Sequence, residues 1–535
     1  MTTDLRATVG LATDSQPDAT LAVVRGPLCP ADVVAAAVTL ADKHGLPIEL
    51  PVAAEPIGAL RIGDRGAAVE FRWRPAPRPA TGTLGVPVPT PTWIEVVLTL
   101  AGEPAAAIDG VLADAGMLLR QRADAFTDVE LRTITEAMPL VERFSDPCAA
   151  LARWAVIFRD HYVENSVGFL WGLQRAGVQP ACIFALAKGD QTRNRTRVDA
   201  TFRRLGYHSD VLDNALIDGT IGRAGERAAH EVLRRVDAFV QDAHAHGLRV
   251  MVIDDGGLLA QGYGGGRPGP HIDGAIELTV SGLKRIAARE DLRIPVLNLA
   301  RSRLKTRLAY REIADSCVRR LRTILPGEKF PGRRVLLAGF GTLGRRIARL
   351  LRDLGCRVTV IDTDVLALIE AAEDGFETRR TIREGLSDPP FLIVGTSGEC
   401  ALRAEDLGFL PNGVYLAGYA TKDFSVLTNP TPVVARTLAT TTVQGVGVRY
   451  EFPDARTALL LGDGRSLNLF DGDDIPNQGY DAYRAGTLLA AKLLAKNHRH
   501  IPAGVHIDMV DEMIARSGLF EACYELHVTG QPSVS

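Results

Sequence analysis

The sequence predicts an α/β protein: a doubly wound unit set among alternating helices and strands, with an extra α+β unit in front. Three observations lead there. Helix-period and strand-period segments alternate from about residue 123 to 310. Residues 331–364, PGRRVLLAGFGTLGRRIARLLRDLGCRVTVIDTD, place strand, glycine turn, helix, strand and acid in register. Residues 1–122 read as short strands joined to two helices.

In the N-terminal unit, strands are expected at Thr20–Val24, Ala59–Ile62, Ala67–Trp73 and Trp93–Leu100, and helices at Ala31–Lys43 and Ala105–Arg122. The stretch 75–92, PAPRPATGTLGVPVPTPT, is too proline-rich for regular structure and reads as a loop or linker. Nothing in this unit points to chemistry, so an accessory or interaction role is expected. Further on, Trp154–Ala176 has the pattern of an amphipathic helix, Ala181–Ala187 of a strand and Glu226–Ala245 of a helix. Arg249–Ile253 reads as a strand that ends on Asp254-Asp255-Gly256-Gly257. Adjacent carboxylates at a strand end push one pKa upward, which suits proton transfer; the same four residues also make an ordinary β-turn. The glycine-rich Gly262–Gly274 is a surface loop or a cover over a site. A strand at Pro295–Leu299 precedes ARSRLKTRL, which holds Lys305, and a helix over Tyr310–Ile324 follows.

The strand Val335–Ala338 feeds Gly339-Phe-Gly341-Thr342-Leu343-Gly344, and a second strand, Val358–Ile361, ends on Asp362. Gly339 permits the tight turn, Gly341 lets backbone approach a pyrophosphate, and Gly344 lets helix pack on strand. This is the dinucleotide-binding pattern of a Rossmann unit. Asp362 is placed to accept from a ribose 2′-OH and to repel a 2′-phosphate, so NAD is expected over NADP.

Composition narrows the classes. At 535 residues, 46% hydrophobic and 23% charged, the chain is long enough for about three domains. A net charge of −3 gives no electrostatic case for nucleic acid or an anionic membrane. No apolar run approaches the ~18–20 residues of a membrane span, and MTTDLRATVG lacks the pattern of a secretory leader. The seven cysteines are scattered and never in CxxC spacing, which suits reduced thiols in a cytoplasmic protein and offers no zinc site. The pairs His244/His246 and His498/His500 have no carboxylate or cysteine at ligand spacing and read as solvated helix ends; no metal is expected.

Taken in order over roughly 125–480, these segments resemble the S-adenosylhomocysteine hydrolase family. The pieces are EAMPLVERFS (136–145), IDDGG (253–257), Glu277-x-Thr279-x-Ser281-Gly282, PVLNLxxSxxK (295–305), GFGTLG and DGRSLNL (463–469). The resemblance implies an NAD domain inserted in a substrate domain, which explains a glycine turn lying after 330 residues. The corresponding division is 1–122 accessory, 123–310 substrate and catalytic, 311–455 NAD-binding, and 456–535 returning to the substrate domain. It also implies a homo-oligomer, resident NAD, and a redox-neutral cycle: a sugar hydroxyl is oxidised, a β-leaving group departs, water adds and the hydride returns.

By the same resemblance, Lys305 is the base at the oxidised carbon, assisted by the Asp254-Asp255 pair and by His161. The NAD-contacting positions fall on Thr279, Val280 and Ser281, on Thr396 and Ser397, and on Asn468, beside Gly339, Gly341, Thr342, Leu343, Gly344 and Asp362. There are departures. The family's Asp-Asn pair after the lysine is Ala309-Tyr310, its sugar-holding glutamate is Leu278 beside Glu277, and its second histidine falls near Tyr419-Ala420-Thr421. The His-Pro segment near adenine becomes Asp474-Ile475-Pro476-Asn477, Val163 replaces a threonine, and the C-terminal HVTGQPSVS contains no lysine. These changes fall on the adenosine side, so an altered nucleoside- or sugar-like small molecule is the expected substrate. A non-catalytic NAD-binding regulator and the adenosylhomocysteine hydrolase itself are the alternatives. Two further loops are noted. Lys188, Arg193, Arg195 and Arg197 form either an anion-binding loop or a basic helix start, and Asp471-Gly472-Asp473-Asp474 is an oxygen-rich loop without a complete ligand pattern.

Overall fold

The computed structural model describes residues 20–26, 30–50, 57–64, 66–75, 94–102, 106–123, 125–219, 222–266, 269–420, 422–443, 445–472 and 475–530. The proline-rich stretch from 76 to 92, Thr421 and Asp473-Asp474 lie outside them. The chain packs as two units that divide between Val129 and Glu130.

The first unit is a five-stranded antiparallel sheet in the order β1-β5-β4-β3-β2, where β1 is Thr20–Gly26, β2 Ile48–Glu49, β3 Gly58–Gly63, β4 Ala67–Pro75 and β5 Ile94–Gly102. Helices Pro30–His44 and Ala106–Ala123 bury Val33, Leu40, Val111 and Leu119 against Phe71, Trp73 and Leu98. One apolar sheet face and one stripe per helix account for this two-layer arrangement.

The second unit holds two largely parallel sheets. One is built from β6 (Trp154–Asp160), β7 (Ile183–Ala187), β8 (His208–Val211), β9 (Arg249–Asp254), β10 (Gly274–Glu277) and β11 (Pro295–Asn298), and β20 (Gly504–His506) completes it. Its order is β20-β11-β10-β9-β6-β7-β8, with every pairing parallel. The chain starts at β6, moves outward through β7 and β8, then returns to the other side of β6 at β9. The other sheet runs β14-β13-β12-β15-β16-β19-β18-β17. Its parallel strands are β12 (Arg334–Ala338), β13 (Arg357–Ile361), β14 (Glu377–Arg379), β15 (Leu392–Gly395), β16 (Val414–Gly418) and β19 (Thr457–Leu461). An antiparallel ribbon, β17 (Ala439–Val443) and β18 (Gly447–Glu451), closes one edge. Helices cover both faces of each sheet, so central strands such as β6 and β15 are buried throughout. The fold is therefore α/β with a doubly wound dinucleotide sheet interrupting a second α/β sheet, to which the chain returns at β20.

Several elements depart from expectation. Trp154–Ala176 is not one helix: Trp154–Asp160 is a central strand, and the helix begins only at Glu164. The five apolar residues Trp154–Phe158 have no period that separates a buried strand from a buried helix, and burial of all seven residues of Trp154–Asp160, Arg159 and Asp160 included, selects the strand. The dinucleotide sheet also extends past residue 455, because β19 pairs with β16. Lys305 opens a π-helical turn, Lys305–Ala309, that runs into helix Tyr310–Ile324. Of Gly262–Gly274, Tyr263 still ends a short helix and Gly274 begins β10.

Candidate active site

In each parallel sheet the chain reverses its direction of winding between two neighbouring strands. A crevice opens at the carboxyl ends there, where ligands of open α/β sheets collect. In the first sheet the reversal lies between β6 and β9, so Asp160-His161 stands opposite Asp255. In the second it lies between β12 and β15, so the glycine turn stands opposite Thr396-Ser397. Both crevices open into one cavity of about 1040 Å³.

The glycine turn has the shape its sequence requires. Gly339 has φ +100°, and a β-carbon there would stand 2.8 Å from the Ser397 backbone nitrogen. A β-carbon at Gly344 would lie 1.9 Å from the Gly339 carbonyl oxygen. Gly341 faces open space on the cavity wall, beside Thr342 and Leu343, so a side chain there would fill the cradle. Thr396 Oγ1 donates to the Gly339 carbonyl at 2.7 Å and ties β15 to the turn. Asp362 Oδ2 accepts from the Phe340 N–H at 2.6 Å, which holds the carboxylate at the tip of β13. Asn468 and Ser466, joined at 2.6 Å, close the far wall. This backbone-lined cradle with an acid at the next strand end fits NAD.

Across the cavity the groups are charged and paired. Lys305 is buried, and its ammonium donates to the Leu278 carbonyl, with Tyr483 and Tyr310 ring centroids 5.0 and 5.8 Å away. Burial pushes its pKa below the usual lysine value, and neighbouring Asp255 and Asp160 only partly counter this. Asp255 accepts from Lys188. Burial raises the Asp255 carboxyl, but Lys188, His161 and Lys305 outweigh it and hold the pKa at about 2. His161 Nδ1 lies 2.6 Å from Asp190 Oδ2, while its Nε2 faces Lys188 at 3.4 Å and Asp255 at 3.9 Å. Burial and Lys188 push the imidazole pKa down, yet Asp190 and Asp255 carry it above its ordinary value. Below them Asp160 meets Arg484 at 2.7 Å, both buried, with Arg484 stacked near Phe158, Phe169 and Tyr480.

Of the expected residues, His161, Asp255, Lys305, Thr279, Val280, Ser281, Gly341, Thr342, Leu343, Thr396, Ser397 and Asn468 line this single cavity. Gly339, Gly344 and Asp362 are not among the residues that line it; Gly339 and Asp362 are tied to the turn through Thr396 Oγ1 and the Phe340 N–H. Asp254 does not line it, which corrects the pairing of two catalytic aspartates. As the last strand residue, Asp254 points along the sheet, where Oδ2 accepts from Leu259 N–H at 2.9 Å and Oδ1 lies 3.4 Å from Arg159. Glu277, its register partner on β10, also faces inward and accepts from Gly256 N–H, Thr279 N–H and Thr279 Oγ1. Burial and Asp254 raise the Glu277 carboxyl well above its usual value. Arg159, Asp254, Glu277 and Asn298 thus form one buried polar row across four adjacent strands.

The loop after β7 is not an arginine anion site: Arg193 bonds to the Asp471 carbonyl, Arg195 to the Gly189 and Asp190 carbonyls, and Arg197 to Glu130. Only Lys188 of that cation group reaches the cavity, and it was hidden among its neighbours. Asp190, Asp160 and Arg484 were missed because their partners lie far away in sequence. The signal available was strand-end position for Asp160, which closes β6, and for Asp190, three residues past β7; Arg484, inside helix Asn477–Asn497, offered none. None of the described residues of the glycine-rich loop 262–274 lines the cavity.

Residues 312–473 match the family model for the S-adenosyl-L-homocysteine hydrolase NAD binding domain. The adenosylhomocysteinase of Thermotoga maritima is 30% identical over 282 residues, covering 50% of this chain and 67% of that protein. That of Pyrococcus abyssi is 27% identical over 264 residues, covering 45% of this chain and 58% of its own length. Dipicolinate synthase A chain from Bacillus subtilis aligns at 15% identity and a TM-score of 0.33, over 68% of this chain and 97% of that one. Among the described residues no helix is long and apolar enough to cross a membrane. With the glycine turn, its partner acid, the matching family model and the adenosylhomocysteinase relatives in agreement, the chain belongs to the adenosylhomocysteinase family and has NAD as its cofactor.

Proposed function

We propose that this protein is an NAD-dependent enzyme that transiently oxidises a secondary hydroxyl of a nucleoside- or sugar-like molecule, in a redox-neutral elimination, hydrolysis or epimerisation. The observation that carries the reading is the buried Lys305 amine sharing one cavity with Gly341 and Thr342. Bound NAD⁺ supplies the hydride acceptor. Lys305, with its proton affinity lowered by burial, takes the hydroxyl proton and later returns it. His161 keeps a proton on the ring and faces the cavity through Nε2, so it serves the leaving group and the incoming water. Asp255 stays ionised and holds Lys188 and His161 in place. Paired groups whose pKa values are pushed apart in this way divide acid from base.

An altered substrate is supported by the sugar side of the cavity. Leu278 is buried and Glu277 faces into the sheet, so neither offers a carboxylate to a vicinal diol. Tyr419 donates to the Cys317 carbonyl at 2.8 Å and has no imidazole beside it in sequence. A pocket built around hydrogen bonds rejects ligands that leave those bonds unmade, so such changes redirect specificity. Homo-oligomeric assembly belongs to the same reading.

The test is to purify the protein with its nucleotide and follow reduced-nicotinamide absorbance while adenosine, nucleoside 5′-phosphates and related sugars are offered. A transient signal with at least one of them, lost in Lys305→Ala with NAD still bound, is the expected result. Binding without reduction, unchanged by Lys305→Ala, overturns the reading in favour of a non-catalytic regulator. Stoichiometric release of NADH points to an ordinary dehydrogenase instead.

A further inference from the structure

Two groups of three histidine and carboxylate side chains, among the described residues, stand close enough to share one ion. The first, Asp160, His161 and Asp255, already surrounds a cation, because the Lys188 ammonium bonds to Asp255 and lies 3.4 Å from His161 Nε2. The second, His244, His271 and Asp273, has no part in the cavity. It joins two features that sequence spacing left apart: the histidines ending helix Arg223–Ala245 and the glycine-rich segment before β10.

We propose that His244, His271 and Asp273 form a binding site for a first-row divalent transition metal, zinc foremost. One ring nitrogen from each histidine and a carboxylate oxygen of Asp273 all lie within 4.8 Å of one another. His244 Nε2 stands 3.2 Å from Asp273 Oδ2. Tetrahedral zinc with bonds of ~2.0–2.2 Å places neighbouring ligand atoms roughly 3.3 Å apart, so this edge already has the spacing of a coordination polyhedron. The His244 and His271 rings lie 4.5 Å apart between centroids and only 30° from parallel, which sets both imidazoles beside the same point. His271 and Asp273 are two apart in the lead-in to β10, a spacing that puts side chains on one side of an extended chain.

The carboxylate is held as a ligand would be: Asp273 Oδ2 also accepts the Val250 N–H at 2.8 Å, which fixes its orientation. His244 lies in the last turn of its helix, where the dipole favours positive charge. Two imidazoles and one carboxylate select zinc, cobalt, nickel or copper, whereas magnesium and calcium require oxygen ligands. The site lies at the amino ends of β9 and β10, opposite the carboxyl ends that face the cavity. The ion is therefore a staple that ties the end of helix Arg223–Ala245 to the entry of β10, and not a participant in the chemistry.

The experiment uses the full chain stripped with a chelator and titrated with Co²⁺, then with Zn²⁺ in competition. One equivalent of cobalt should give a visible d–d absorption that zinc abolishes, with a rise in thermal midpoint and unchanged NAD affinity. His271→Ala, at an exposed position, and Asp273→Asn, which keeps an acceptor for Val250, should each weaken zinc at least tenfold while binding NAD normally. No cobalt spectrum and no zinc uptake would overturn the proposal. So would metal binding of equal strength in both variants, which would place the ion elsewhere.

Discussion

Replacing Lys188 with methionine removes the cation that holds Asp255 and leaves side-chain bulk in place. In the parent, Asp255 titrates at about 2 instead of the usual 3.8. That difference of roughly two units, at 1.36 kcal/mol each, corresponds to about 2 kcal/mol of folding stability at neutral pH. Losing one partner of a buried pair costs about 3–5 kcal/mol, but His161 lies 3.9 Å from Asp255 and takes over part of the pairing. The expected loss is therefore about 2–3 kcal/mol, read by urea denaturation near pH 7. Asp255 has a depressed folded pKa, so its contribution is present above the unfolded value and vanishes as pH falls through about 2. The gap between parent and variant should accordingly shrink to about half near pH 3. Lys188→Arg should recover most of it. A gap below about 0.5 kcal/mol at pH 7, as for an exposed pair, or one that ignores pH, refutes the assignment of Lys188 as the partner of Asp255.

Three other outcomes follow from the geometry. Gly344→Ala drives a β-carbon against the Gly339 carbonyl, a clash of the kind that costs about 1–3 kcal/mol, so NAD affinity in a fluorescence titration should drop roughly ten- to a hundredfold. Asp362→Ala should weaken NAD and narrow its advantage over NADP in the same titration; unaltered affinity would mean that the cofactor acid lies elsewhere. Glu277 has a raised folded pKa, so its stabilisation is complete below the unfolded value and is lost as pH rises through the folded one. Glu277→Gln should therefore gain on the parent between pH 5 and pH 8 in urea denaturation, and an equal pH dependence would sink the reading of a raised Glu277 carboxyl.

The cofactor half of the site was readable because its chemistry is local. GFGTLG, Asp362 and Thr396-Ser397 act through backbone shape and strand-end position, which neighbouring residues encode. The substrate half was much less so. Asp254 and Asp255 are adjacent in sequence, yet one faces along the sheet and the other into the cavity, because successive residues leaving a strand point in opposite directions. Lys188 looked like one of several surface cations, and only its meeting with Asp255, 67 positions away, sets it apart. Strand β6 begins with only five apolar residues, Trp154–Phe158, and a helix starts at Glu164, so a short run without period hid the strand end carrying Asp160 and His161. Asp273 and His244 meet only through the fold, and no ligand spacing foretold them.

The chain passes between the two parallel sheets twice, from β11 to β12 and from β19 to β20. The first passage contains Lys305 and the second contains Asn468, both on the cavity wall. A crossover is where one sheet would pivot on the other, and points near a pivot travel least when a cleft opens. A hinged opening that admits a ligand would thus swing the glycine turn and the His161 corner apart while Lys305 and Asn468 keep their place. On the proposed reading, Lys305 and Asn468 would keep their alignment through each cycle of entry and release, while the glycine cradle and the His161 corner would be the parts that must come together.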